Sequence, residues 1–152
     1  MGDYERTTRE CTLDNMHPEL AAAFQAYIEK YELEEIAAKA MICCETISTK
    51  EKKILLGSKM EVEIAGTILT PQWLFWAGGK EKETPGVFLA RLHDLRVEDY
   101  EKSSMYKMIQ DTGLNVFGFQ TASGPGSIFI GLGPQPAAQK FRDMLREAIS
   151  KV

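Results

Sequence analysis

Four lysines, Lys50, Lys52, Lys53 and Lys59, crowd around the apolar run Ile54-Leu55-Leu56. Ammonium groups at this density attract anionic surfaces, each contributing roughly 1 kcal/mol beside an acidic bilayer, and an apolar tip between them can insert. The segment Ser48–Lys59 is expected to be a basic loop. Two uses are open to it: weak contact with anionic lipid through Lys50, Lys52, Lys53 and Lys59, or contact with a protein partner. Ile54, Leu55 and Leu56 could equally be covered by the N-terminal helix described below.

The other reactive side chains form no catalytic or metal set. His17 and His93 are the only histidines and lie in unrelated segments, with no carboxylate or cysteine at metal-ligand spacing beyond the adjacent Asp94. Cys11, Cys43 and Cys44 are odd in number, and two are adjacent, so neither a disulfide framework nor a CxxC site can be drawn. On a strand, Cys43 and Cys44 point to opposite faces, one of them buried. Gly124-Pro125-Gly126-Ser127 and Gly131-Leu132-Gly133-Pro134 read as turns, since no Gly-Lys-Ser/Thr follows. No catalytic residue, metal or cofactor is expected. Of the aromatics, Trp73 and Phe75 share one strand face and Trp76 takes the other, which makes Trp76 a candidate for an exposed partner-binding face.

These residues must be positioned by one domain. The chain has 152 residues and 17.1 kDa, with 44% hydrophobic and 26% charged residues, values typical of a folded globular protein. Its net charge of -4 argues against nucleic acid as a partner. That charge is unevenly spread: residues 1–36 carry -6, residues 37–60 carry +3, and the remainder carries -1. The start of the chain lacks a basic and apolar leader, and no run approaches the roughly 18 to 20 apolar residues of a membrane span. A cytoplasmic location is therefore expected, consistent with unpaired cysteines.

Helical spacing governs both ends. Asp14 or Asn15 is expected to cap a helix with Pro18 in its first turn and Leu20, Phe24, Tyr27, Ile28 and Tyr31 on one face. A bend or second short helix should follow near Tyr31–Glu34. At the other end Ala137, Ala138, Phe141, Met144, Leu145, Ala148 and Ile149 form an unbroken apolar stripe after Pro134 and Pro136. Between them, strands are expected at 41–48, 60–70, 73–77, 87–92, 96–100, 114–121 and 127–131, with a turn of helix within 101–111.

Strand-turn-strand patterning in Gly66-Thr67-Ile68-Leu69-Thr70-Pro71-Gln72-Trp73-Leu74-Phe75-Trp76 and in Val87-Phe88-Leu89-Ala90-Arg91-Leu92-His93-Asp94-Leu95-Arg96-Val97, followed by one amphipathic C-terminal helix, resembles the bacterial branch of the pleckstrin-homology-like (PH-like) family over residues 36–150. The resemblance implies an α+β fold: a partly open antiparallel β-barrel of about seven strands, plugged by the C-terminal helix. Residues 1–35 would be an N-terminal helical extension to a barrel domain at 36–152. It also places the lysine segment where relatives bind phosphoinositide headgroups, but no Arg occurs between Arg9 and Arg91, so bidentate phosphate contacts are lacking. The function expected is a non-catalytic binding or scaffolding module acting on a protein partner or by self-association. The alternatives are a peripheral module on anionic membrane and a small-ligand barrel lined by groups such as Trp73, Tyr100, Tyr106 or His93.

Overall fold

The run Trp73-Leu74-Phe75-Trp76-Ala77 has no polar alternation, as expected of a strand covered on both faces. In the computed structural model, which describes residues 4–152, it lies in the middle layer of three. Along the chain come β1 (Glu5–Cys11), α1 (Pro18–Lys30), α2 (Glu34–Ala37), β2 (Ile42–Ile54), β3 (Gly57–Leu69), β4 (Trp73–Lys80) and β5 (Gly86–Arg91). They are followed by β6 (Arg96–Asp99), β7 (Gly113–Thr121), β8 (Gly124–Gly131) and α3 (Pro136–Ser150). Short 3-10 turns lie over Leu92–Asp94, Tyr100–Lys102 and Ser104–Lys107, the last two supplying the helical character expected within 101–111. The fold is α+β with two antiparallel sheets, β1-β2-β3-β4-β5 and β6-β7-β8.

Alternation sorts the first sheet's side chains into two cores. On the outer face, Ile64, Ile68, Phe75 and Ala77 meet Leu20, Phe24 and Ile28 of α1. On the inner face, Ile42, Cys44, Leu69 and Leu74 meet Leu114, Val116 and Ile130 of the second sheet and Phe141 and Leu145 of α3. The N-terminal helix therefore packs on its own sheet. Its anchor is Glu45, a carboxylate 6% exposed, which accepts from Arg9 Nε at 2.8 Å and from the His17 backbone N–H at 2.6 Å. The cap is His17, whose Nδ1 accepts from the Glu19 N–H, rather than Asp14 or Asn15; Asn15 instead accepts from the Thr12 N–H. The expected bend falls where Glu32 takes φ +55°, and α2 follows.

The helical extension expected over 1–35 is corrected at its start, for residues 5–11 form β1, paired to β2 from Glu5↔Thr49 to Cys11↔Cys43. Met1–Asp3 lie outside the described residues. Polar side chains conceal this strand because their partners are polar too. Thr8 shares a 2.8 Å hydroxyl contact with Thr46, while Arg6 donates to Ser48 Oγ at 2.7 Å and bidentately to Asp111 at 2.9 and 2.8 Å.

Among the described residues, no backbone ladder joins the two sheets into a closed barrel. Where β1 would meet β8, the Arg6 guanidinium stands over Phe129, and a side chain on Gly131 would run into it. The N–H of Thr8 is satisfied instead by Gln135 Oε1 at 2.8 Å, and its hydroxyl accepts from the Gly133 N–H. At the opposite corner, the turn between β5 and β6 tucks against a bulge in β7, where the register slips between Phe117 and Phe119. Gly118 makes this possible: it has φ +110°, and a Cβ there would overlap the Asp94 carbonyl oxygen.

The helix α3 is also held electrostatically. Arg142, 8% exposed, donates to Asp99 at 2.6 Å and Glu101 at 2.9 Å, and Arg146 reaches Asp99 at 2.8 Å. Burial alone would raise the Asp99 carboxyl, but hydrogen bonds and charge from Arg146 and Arg142 hold it below its ordinary value.

Candidate docking hairpin

The lysine segment is strand rather than loop. Strands β2 and β3 pair without interruption from Ile42↔Leu69 to Ile54↔Gly57. Among the described residues, the pairing of β1 with β2 ends at Thr49 and that of β4 with β3 at Glu63, followed by one bond from the Glu81 N–H to the Val62 carbonyl, so residues 50–61 run on as a two-stranded ribbon. The turn is Leu55-Leu56. Gly57, at φ +131°, absorbs the reversal.

Register fixes which lysines act together. Lys52 lies directly opposite Lys59, and Lys50 opposite Glu61, so Lys50, Lys52 and Lys59 share one face of the ribbon. Lys53, opposite Ser58, takes the other face. Lys50 Nζ also sits 5.4 Å from the centroid of the Tyr4 ring. The Tyr4 hydroxyl donates to Glu63 at 3.0 Å; burial and then that carboxylate push its pKa up to about 12. Along one side of the ribbon, Lys52, Lys59 and Met60 face Lys80–Glu83 across a cleft of about 460 Å³, bridged by Lys80–Glu61 at 3.3 Å.

The tip excludes one expectation for the apolar run, cover by the N-terminal helix. Leu55 is 98% and Leu56 93% exposed, with Ile54 and Met60 about half exposed; none is covered by α1. Trp76 does not join this surface. It is half-buried on the inner face of β4, its ring centroid 5.8 Å from that of Phe88, and its buried Nε1 has no partner among the described residues.

The groups considered for an internal ligand site point to different surroundings. Tyr100 is buried, donates to the Ile109 carbonyl and packs edge-on against Tyr106. His93 lies on an exposed turn, and Trp73 shares the α1-facing side of β4 with Phe75. Among the described residues, no group of three or more His, Cys, Asp or Glu is arranged to hold a metal ion, and no helix is long and apolar enough to cross a membrane.

No family model, curated protein or solved structure matches this chain.

Proposed function

We propose that the chain is a PH-like, non-catalytic binding module whose docking element is the projecting β2–β3 hairpin, and that the hairpin seats on an anionic lipid surface. The observation that carries this reading is the tip itself: two leucines almost wholly exposed at the end of a ribbon bearing Lys50, Lys52, Lys53 and Lys59. Leucines so exposed contribute nothing to the fold, whereas an apolar tip ringed by ammonium groups matches the boundary between acyl chains and acidic headgroups. The PH-like component rests on the consecutive strand order and on α3 packed between two sheets.

Co-sedimentation tests it. Vesicles of phosphatidylcholine with phosphatidylserine should retain the protein, and retention should fall as salt rises. Reversing Lys52 and Lys59 to glutamate should weaken binding more than tenfold, given about 1 kcal/mol for each lysine. Leu55→Glu with Leu56→Glu should abolish retention while leaving stability within about 0.5 kcal/mol, because both side chains are exposed. Equal retention of wild type and variants would remove the reading.

A second reading, docking on a protein partner or self-association, is favoured by a separate apolar patch, Met105, Met108 and Ile109, at 45%, 77% and 40% exposed. Light scattering at high concentration separates the two: a strict monomer that binds vesicles supports the first, and an oligomer indifferent to lipid supports the second.

A further inference from the structure

Strand β1 creates a pairing that cysteine spacing does not disclose. Cys11, the last residue of β1, lies directly opposite Cys43 of β2. Both side chains fall on the α1-facing side of the sheet, Cys11 in the outer core and Cys43 packed against it. Directly opposed residues in an antiparallel pair have Cα atoms about 4.5 or 5.5 Å apart, depending on position in the ladder. Both values lie inside the range of about 4.4 to 6.8 Å that a disulfide spans. Cys44 is the adjacent residue but points into the inner core with Ile42 and Leu69, on the other face of the sheet. Three thiols therefore divide into a facing pair and a single one.

We propose that Cys11 and Cys43 are a site of intramolecular disulfide formation, with a low-molecular-weight disulfide such as oxidised glutathione as oxidant. The half-buried Cys43 is the entry point. Its thiolate attacks one glutathione sulfur, forming a mixed disulfide and releasing one glutathione thiolate. The Cys11 thiolate then attacks the Cys43 sulfur, forming the protein disulfide and releasing the second glutathione. The two protein thiols give up two protons and two electrons, and one glutathione disulfide becomes two thiols. Burial raises both protein thiols, Cys11 to about 12, so few thiolates are present at neutral pH and the reaction quickens as the pH rises. The closed loop, residues 11–43, carries α1 and α2 across the outer face.

The test is incubation of the native full chain with oxidised glutathione at mildly alkaline pH, followed by alkylation under denaturing conditions and peptide mapping. The expected product has lost two hydrogens, contains linked Cys11 and Cys43 peptides, and carries an alkylated Cys44. Its melting temperature should rise by roughly 5 to 10 °C and return on reduction. Cys44→Ala should still form the bond, whereas Cys11→Ala should stop at a glutathione adduct on Cys43. Because the mapping is done on wild type, a poorly folded variant does not blunt it. Three free thiols after incubation, a bond that includes Cys44, or disulfide-linked dimers would each overturn the assignment.

Discussion

Phe141→Ala is expected to destabilise the fold by about 3 to 5 kcal/mol, the cost of removing a fully enclosed aromatic ring and leaving a cavity. Phe141 has no exposed surface, and it sits on the stripe of α3 that faces Leu114, Val116 and Ile130 of the second sheet and Leu69 and Leu74 of the first. Among the described residues those two sheets share no backbone ladder, and α3 packs into the core that their inner faces share. Urea unfolding of the variant checks this, and a loss below about 1 kcal/mol would mean that α3 is a lid rather than a core element.

Arg142→Ala is expected to cost about 2 to 3 kcal/mol at neutral pH, because it leaves Glu101 with only a long bond from the Gly113 N–H and Asp99 with Arg146 and the exposed Lys102. The value sits at the low end for broken ion pairs because Glu101 remains a third exposed. The pH dependence supplies a sharper signature. The Asp99 carboxyl is held below its ordinary value in the fold, so its contribution is fully present above the unfolded value of about 3.9 and is lost as pH falls through the lower folded value. Denaturation titrations between about pH 2 and pH 6 should therefore show a shallower acid limb for the variant than for wild type. Parallel curves would place the cluster outside the energetics of the fold.

How far these features can be read from sequence depends on where each residue finds its partners. The stripe of α3 is local: Phe141, Leu145 and Ala148 recur at helical spacing, and the helix lies where that spacing puts it. The apolar strands β4 and β5 are legible for the same reason. Strand β1 is not, since Glu5-Arg6-Thr7-Thr8-Arg9-Glu10 shows no apolar alternation. Arg6 becomes an inward-facing residue only through Asp111, 105 positions away. The outer ends of β2 and β3 are hidden differently. A ribbon wet on both faces has no buried side to impose alternation, and its lysines and glutamates read as loop residues. The candidate site is thus visible as composition, lysines around Ile54-Leu55-Leu56, whereas its shape follows only from the pairing. The facing cysteines are invisible for the same reason as β1.

The length of the projecting ribbon has a consequence for the acidic body behind it. Beyond Thr49 the strand β2 runs five more residues to the turn, which at about 3.3 Å per residue is a reach of roughly 17 Å. Electrostatic influence in physiological salt decays over about 8 Å. In a tip-first dock, Lys53 stands roughly 7 Å and Lys52 and Lys59 roughly 10 Å behind Leu55, about one screening length, whereas Lys50 and the sheet beyond Thr49 stand about two. On the proposed lipid docking, the hairpin would be a standoff: a protein of net charge -4 would meet a surface of its own sign through its most lysine-rich segment.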